Sequence, residues 1–293
     1  MMRIALYGKR ITAEARPYIE QLYSKLQQQG VQLSLYEELH NFLQRHCSIA
    51  KNWSLYSNHR ELVAQNPQFL ITLGGDGTIL DAVTLVRDSQ IPILGINTGR
   101  LGFLSNVGKE ELEVAIDALL ESNYTLDPRA VLQCRGQGLS WDMDFALNEC
   151  TVSRKNSTAM LTTHVWINDE FLATYWADGL IIATPTGSTG YSLSCGGPIV
   201  MPGSENFVIT PIAPHNLNLR PFVIPNQCQI KLIVESREEQ HLISLDSRLY
   251  TVNAGRELHV SMGSFKVNLI RTDIQSFPQT LRNKLLWGAD RRN

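Results

Sequence analysis

The segment Gly-Gly-Asp-Gly-Thr at 74–78 has the residue types and spacing best suited to chemistry in this chain. It follows an unbroken apolar run, 69–73, and precedes a helical pattern. A glycine turn between a strand and a helix lets phosphate oxygens approach backbone N–H groups at the helix N-terminus. A tight turn that merely needs positive φ is the alternative. The position after a strand and the acidic residue between glycines favour a phosphate site.

Two familiar phosphate-binding motifs do not fit the chain. No GxxxxGK[ST] sequence is present, which excludes a P-loop. The dinucleotide fingerprint fails at Leu80, which replaces its third glycine, and at Asn97, which stands where an acidic residue is needed. The Asp76 carboxylate would repel a phosphate unless a metal bridges the two or the carboxylate takes a proton from a nucleophile. The segment therefore favours phosphoryl transfer over simple dinucleotide docking.

Three further polar segments are candidate ligand loops. The first, at 97–104, is a glycine-containing turn after a buried strand, and it fits a structural turn equally well. The second, at 178–194, combines glycines, hydroxyls and one tyrosine, which suit ribose hydroxyls, a carboxamide and an adenine face, although such a loop is often only a loop. The third is Asn148-Glu149 at a strand end, which alone fits a solvated turn or hydrogen bonds to sugar hydroxyls.

The elements that must position the first segments alternate between strand and helix. Apolar patterning predicts strands at 3–7, 31–36, 69–73 and 91–96, and helices at 13–29, 37–46, 78–87 and 109–122. This alternation predicts a parallel, doubly wound α/β domain. Because the carboxyl ends of neighbouring parallel strands meet in one crevice, the turns at 74–78 and 97–104 are expected to line the same site.

After residue 123 the pattern changes to short runs rich in Thr, Val and Ile. Strands are predicted at 145–152, 160–167, 171–177, 180–184, 228–234, 257–262 and 266–271, with a hairpin connection at 168–170. This pattern predicts an antiparallel β-sandwich. A last amphipathic helix is expected at 279–287, returning to the first domain through Leu281 and Leu285. The expected domains are therefore 1–123, joined by the tail 275–293, and 124–274.

Composition excludes several classes of partner. The 293-residue chain has a net charge of −2 and well-mixed charges, which gives no support to a nucleic-acid or anionic-membrane partner. Its five cysteines are widely spaced and contain no CxxC pair, so reduced thiols and a cytoplasmic location are expected. The charge-free stretch 179–204 is rich in Gly, Pro, Ser and Thr, which indicates loop and strand rather than a membrane helix. The seven histidines show no metal-ligand spacing, and the metal-binding residues stay unassigned.

Taken together and in order, these motifs resemble the bacterial NAD kinase family. The series is GGDGT at 74–78, NTGxLGFL at 97–104, NE at 148–149, DGLIxxTPTGSTxYS at 178–192 and LxxRP at 217–221. The resemblance implies a Rossmann-like or phosphofructokinase-like N-terminal domain, a C-terminal β-sandwich and a homotetramer or homodimer. It also implies transfer of the γ-phosphate of ATP to the 2′-hydroxyl of the adenosine ribose of NAD, with a divalent cation such as Mg²⁺. Two alternatives stay open: another GGDG-type kinase acting on a lipid or sugar, and a non-catalytic NAD-binding regulator.

The same resemblance implies roles for individual residues. Asp76 would be the proton acceptor and a substrate contact. The other NAD contacts would be Gly77, Phe103, Asn148, Glu149, Asp178, Thr189, Gly190, Tyr191, Ser192, Leu193, Ser194, Ala213 and Arg248. Because Asn is nearly isosteric with Asp, Asp76→Asn is expected to keep the turn while removing the charge that catalysis needs.

Overall fold

The computed structural model describes residues 1–9, 11–47, 53–99, 101–105, 107–155, 159–272 and 276–288. The chain divides into two compact units: unit 1 is Met1–Pro128 with Val267–Asn293, and unit 2 is Arg129–Lys266. The domain limit expected at residue 123 stays a prediction. The limit expected at 274–275 lies outside the described residues.

Unit 1 is built around parallel strands. The strands are β1 (Arg3–Tyr7), β2 (Gln32–Tyr36), β3 (Ser54–Tyr56), β4 (Phe69–Leu73), β5 (Ile93–Asn97) and β6 (Val107–Gly108). They pair in the order β5-β4-β1-β2-β3, and β6 lies along β5. The predicted parallel α/β fold is confirmed for this part of the chain.

The helices of unit 1 follow the predicted alternation with small shifts. They are α1 (Arg16–Gln28), α2 (Glu37–His46), α3 (His59–Ala64), α4 (Asp76–Val86), α5 (Leu112–Leu120) and, near the C-terminus, α7 (Phe277–Leu285). Short 3₁₀ turns at Ala13–Ala15 and Lys109–Glu111 occupy the predicted starts of α1 and α5. The α-helical bonds of α1 begin later because Pro17 near its start supplies no N–H group. No helix among the described residues has the length and apolar character needed to cross a membrane.

Unit 2 consists of strands that pair antiparallel, and its described residues also include a 3₁₀ turn at Gly187–Thr189 and a short helix. The strands are β7 (Thr125–Gly136), β8 (Phe145–Ala146), β9 (Glu149–Ser153), β10 (Leu161–Ile167), β11 (Glu170–Ala177), β12 (Gly179–Ala183), β13 (Asn206–Ile212), β14 (Phe222–Pro225), β15 (Ile230–Glu235), β16 (Gln240–Leu245), β17 (Arg248–Asn253) and β18 (Glu257–Arg271); the helix is α6 (Tyr191–Ser194). Strands β7 and β18 each continue into unit 1.

Two sheets enclose the core of unit 2. One contains β11-β10-β15-β18 and the other β14-β13-β12-β9-β16-β17. Val165 and Leu232 of the first sheet belong to the same buried cluster as Leu180 and Ile243 of the second. This arrangement confirms the predicted sandwich. In unit 1, β18 ends in a parallel pairing of Leu269 with Ile93.

The predicted hairpin is a two-residue turn. Ile167 pairs with Glu170, and the two residues between them have φ of +49° and +66°. Positive φ at both central positions is the geometry that matches the right-handed twist of paired strands, and Asn and Asp tolerate it. Elsewhere the predicted strand 145–152 is interrupted between β8 and β9, and the strands predicted at 257–262 and 266–271 form the single strand β18.

Candidate active site

Asp76 is the first residue of α4, and its carboxylate is fixed by the backbone of a neighbouring turn. Oδ2 accepts the N–H of Phe103 at 2.8 Å, and Oδ1 accepts the N–H groups of Leu104 at 3.0 Å and Ser105 at 2.9 Å. The Asp76 side chain nevertheless keeps 29% of its surface exposed. The structure thus brings together the turns at 74–78 and 97–104, as expected from their places after β4 and β5.

The turn at 101–105 is shaped to receive this carboxylate. A Cβ atom on Gly102 would lie 1.8 Å from Asp76 Oδ1, so a larger residue there would displace the carboxylate. Ser105 Oγ donates a 2.9 Å hydrogen bond to the carbonyl of Gly74, which ties the two turns a second time. Arg100, the basic residue of the predicted loop, lies outside the described residues.

At the N-terminus of α4, neither space nor backbone conformation requires glycine at positions 75 and 77. A Cβ atom on Gly75 or on Gly77 would meet no atom within 4 Å. Gly75 has φ of −85°, a conformation open to any residue. The absence of side chains lets a ligand approach the backbone at the positive end of the helix dipole. This end of α4 can therefore accommodate a phosphate group.

The tail helix α7 adds a cation and an aromatic ring that the sequence did not reveal as site residues. Lys284 Nζ lies 3.7 Å from Asp76 Oδ2 and 4.6 Å from the centre of the Phe103 ring. The rings of Phe103 and Phe277 lie 6.3 Å apart. A lysine in an amphipathic helix gives no sequence signal for such a contact, because solvent-facing lysines are common there.

In unit 2, Asn148 and Glu149 lie where the chain passes from β8 to β9, and Asp246 holds them. Asp246 accepts backbone N–H groups from Leu147 at 2.9 Å, Asn148 at 2.7 Å and Glu149 at 3.3 Å. Because these N–H groups donate to the Asp246 carboxylate rather than to a neighbouring strand, the predicted strand 145–152 is interrupted here. Asp246 was not among the predicted site residues, and its φ of +53° marks it as a special turn position.

Asn148 Oδ1 and Glu149 Oε2 are buried polar atoms without a hydrogen-bond partner among the described residues. Glu149 is only 9% exposed. Burial and the nearby Asp246 carboxylate raise the Glu149 pKa to about 8, although the Tyr191 N–H opposes the shift. The pKa of Asp246 is also raised by burial, against its three backbone hydrogen bonds and the charge of Arg248. Glu149 is therefore largely protonated at neutral pH and can donate as well as accept a hydrogen bond.

The loop after β12 packs directly on Asn148. The Thr184 N–H donates to the Asn148 carbonyl at 2.8 Å, and Thr184 Oγ1 donates to the Leu147 carbonyl at 2.6 Å. A Cβ atom on Gly187 would lie 2.1 Å from the Asn148 carbonyl oxygen, so this close approach requires glycine. The structure therefore brings the 178–194 segment together with the Asn-Glu pair.

The remaining predicted residues of this segment differ in exposure. Tyr191 and Ser194 are exposed, whereas Thr189, Gly190 and Leu193 are half-buried. Ser192 is fully buried, and its hydroxyl lies 2.8 Å from that of Thr210.

Asp178, Ala213 and Arg248 occupy three different surroundings in unit 2. Asp178 pairs with Arg154 at 3.2 Å, an arginine that was not among the predicted residues. Ala213 is exposed and has φ of +45°. Arg248 donates to the carbonyls of Met143, at 3.2 Å, and Phe145, and it lies 3.7 Å from Asp246. The Arg248 guanidinium thus offsets the charge of the carboxylate that holds the Asn-Glu pair.

Comparison with known families covers most of the chain. Residues 4–124 match the ATP-NAD kinase N-terminal domain, and residues 147–272 match the ATP-NAD kinase C-terminal domain. The chain is 48% identical to an NAD kinase of Flavobacterium psychrophilum over 295 residues, with 100% of both chains covered. It is 42% identical to an NAD kinase of Cytophaga hutchinsonii over 294 residues, again with 100% of both covered.

Two solved structures resemble the chain over nearly its whole length. An NAD kinase from Archaeoglobus fulgidus in complex with ATP has a TM-score of 0.74 and 26% identity, with 98% of each chain covered. A yeast NADH kinase complexed with NADH has a TM-score of 0.86 and 24% identity, with 99% of this chain and 89% of the yeast chain covered. The likeness to the yeast enzyme concerns the fold alone.

Proposed function

The chain belongs to the NAD kinase family and is an ATP-dependent phosphotransferase, and we propose that its acceptor is the 2′-hydroxyl of the adenosine ribose of NAD. The observation that carries the mechanism is the Asp76 carboxylate, held by three backbone N–H groups beside the open glycines Gly75 and Gly77. This pairing joins a proton acceptor to a phosphate-binding helix end.

Asp76 acts as the proton acceptor in this proposal. A carboxylate has about four lone-pair positions, and backbone N–H groups use three of those on Asp76, so one stays available for a hydroxyl proton. The ribose oxygen forms a bond to the γ-phosphorus as the bond from that phosphorus to its bridging oxygen breaks. ADP leaves with the bridging oxygen, and the hydroxyl proton passes to Asp76.

The residues proposed to bind NAD offer the matching hydrogen-bond groups. Asn148 Oδ1 and Glu149 Oε2 have no partner among the described residues, and such buried polar atoms are costly until a ligand satisfies them. Sugar hydroxyls can donate to the Asn148 oxygen and exchange hydrogen bonds with the Glu149 carboxyl. Gly77, Phe103, Asp178, Ala213, Arg248 and the 189–194 segment are proposed as the further contacts.

A divalent cation, Mg²⁺, is proposed to enter together with ATP. The described residues contain no group of three or more His, Cys, Asp or Glu side chains that could hold a metal ion. Mg²⁺ in phosphoryl-transfer sites is commonly bound by one or two carboxylates and by the substrate phosphates, so a protein cage is not needed. The substrate phosphates would hold such a cation beside the partly exposed Asp76 carboxylate, and the cation would neutralise charge on those phosphates.

Location and assembly are further parts of this proposal. The odd number and wide spacing of the cysteines support a cytoplasmic location. A homo-oligomer, either a homodimer or a homotetramer, is supported by large apolar side chains exposed on unit 2, among them Phe171, Phe222 and Leu249. Light scattering of the purified chain would measure its mass in solution.

A coupled assay for NADP tests the proposed reaction. Purified protein with NAD, ATP and Mg²⁺ should form NADP and ADP in equal amounts. NAD binding without turnover would instead favour the non-catalytic regulator. Transfer of phosphate to a diacylglycerol, a sphingoid base or a sugar, with no NADP formed, would favour another GGDG-type kinase.

A further inference from the structure

We propose that Lys284, on the tail helix α7, is a second catalytic residue of the phosphoryl transfer, and that its ammonium group binds the terminal phosphate of ATP beside Asp76. The inference rests on the proposed function. It adds a residue that lies outside every motif from which that function was derived.

The contacts of Lys284 direct its charge at the reacting residues. Its Nζ lies 3.7 Å from Asp76 Oδ2, an ion-pair distance that is longer than a direct hydrogen bond, and 4.6 Å above the Phe103 ring. Asp76 already accepts three backbone N–H groups, so it does not depend on the ammonium for its hydrogen bonds. The side chain of Lys284 is 33% exposed, which leaves its donors accessible to a ligand.

Charge balance supplies the second reason. A phosphate approaching the N-terminus of α4 meets the favourable helix dipole, but it also meets the negative charge of Asp76. The only Lys or Arg within the two motifs at 74–78 and 97–104 is Arg100, which lies outside the described residues. An ammonium group next to Asp76 offsets the repulsion and favours the charge that develops on the transferred phosphate.

The position of Lys284 is set by the helix rather than by a loose end of chain. Ser276 and Gln279 form a reciprocal capping box at the start of α7, and Leu281 is 9% exposed. A lysine in the last turn of a helix is favoured by the dipole, which would account for a purely structural lysine. A lysine that only stabilises the helix dipole would not need its Nζ atom over the Phe103 ring and beside the Asp76 carboxylate, where Lys284 Nζ lies.

The test compares three variants of the full-length chain. Lys284→Met keeps the apolar stem and removes the charge, Lys284→Arg keeps the charge, and Arg282→Met is the control for loss of a cation on the same helix. The readouts are the ratio of the Kd values for ADP and ATP, the kcat, the Kd for NAD and the melting temperature. The ADP/ATP ratio isolates the terminal phosphate, since both nucleotides share the remaining groups.

Lys284→Met should lower the ADP/ATP ratio about tenfold and lower kcat at least about tenfold, because a charge-assisted hydrogen bond to phosphate is lost. The Kd for NAD and the melting temperature should change little. Lys284→Arg should recover most of the ratio, and Arg282→Met should match the wild type in every readout.

An unchanged ADP/ATP ratio in Lys284→Met would overturn the inference, and so would a ratio lowered equally in Arg282→Met. If Lys284→Met loses folding, Lys284→Gln takes its place: an ADP/ATP ratio lowered about tenfold in Lys284→Gln and recovered in Lys284→Arg would support the inference, and an unchanged ratio in Lys284→Gln would overturn it. Failure of the wild type to form NADP would instead contradict the proposed function, so the two failures are distinguishable.

Discussion

Replacing Asp76 by asparagine separates the catalytic and structural roles of its carboxylate. In the wild type, the N–H groups of Leu104 and Ser105 both donate to Asp76 Oδ1, and the oxygen of an asparagine can keep both of these hydrogen bonds. The new NH₂ group then faces the Phe103 N–H, which donates to Oδ2 at 2.8 Å in the wild type. Two donors facing each other cannot bond, and this corrects the expectation that asparagine would keep the turn unchanged.

The size of the effect follows from these three contacts. An unsatisfied donor costs about 1–3 kcal/mol, and the lower end applies because the Asp76 side chain is 29% exposed to water. The two remaining bonds lose the charge of their acceptor, so the total loss of unfolding free energy should be roughly 2 kcal/mol. The melting temperature should fall by about 4–8 °C. Loss of the proton acceptor should lower kcat by about 10²- to 10⁴-fold.

Ser105→Ala is the matched control. It removes the 2.9 Å hydrogen bond from Ser105 Oγ to the Gly74 carbonyl, and it leaves the Asp76 carboxylate and its N–H donors in place. It should cost about 1 kcal/mol of stability with kcat within a few-fold of the wild type. Thermal unfolding and the NADP assay measure both quantities. Near-normal kcat in folded Asp76→Asn, or an equal loss of kcat in Ser105→Ala, would refute a catalytic role for this carboxylate.

Three other perturbations test further features of the structure. Gly102→Ala would place a Cβ atom 1.8 Å from Asp76 Oδ1, so kcat should fall and the free energy of unfolding should drop by about 1–3 kcal/mol. Gly99→Ala is the control: the atom nearest to its new Cβ lies 3.8 Å away, so this variant should be tolerated. Burial lowers the pKa of His241 from 6.5 to about 4, so protonation of the unfolded chain should remove about 3 kcal/mol of stability as the pH falls from 6.5 to 4. Urea unfolding of His241→Leu over that range should show a correspondingly smaller loss, and equal slopes for both proteins would contradict the assignment. Truncation after Pro278 removes Leu281 and Lys284, so the free energy of unfolding of unit 1 should fall by about 2 kcal/mol and the formation of NADP should be lost. An unchanged melting temperature and an unchanged activity would show that α7 is dispensable.

Local sequence patterns were sufficient for β4, α4 and the glycine turn between them, but they did not predict the strands β7, β13, β16 and β17 of the second half of the chain. Five consecutive buried residues in β4 and a helix at the next turn follow directly from the apolar run and from Gly75 and Asp76. The three-residue strand β3 and the six-residue helix α3 were missed, because segments this short carry too few periodic positions.

The site residues that were missed depend on contacts distant in sequence. Asp246 holds the Asn148 N–H across 98 positions, and no local pattern distinguishes it from a solvent-facing turn aspartate. Lys284 meets Asp76 only because α7 packs within unit 1. Periodicity indicates that a helix is amphipathic, but it does not say which distant turn the helix will contact.

The discontinuity of unit 1 has a consequence for synthesis on the ribosome. Asp76 and Phe103 emerge early, but the strand end with Leu269 and the helix with Lys284 are translated only after Arg129–Lys266. At about 5–20 residues per second, that interval lasts on the order of 10 s. During this time Ile93 of β5 pairs with β4 but lacks its second parallel neighbour, Leu269 of β18, and the Asp76 carboxylate lacks its neighbouring ammonium. A nascent chain stalled inside unit 2 should therefore be cleaved by proteases at β5 more readily than a chain whose synthesis has passed Leu269.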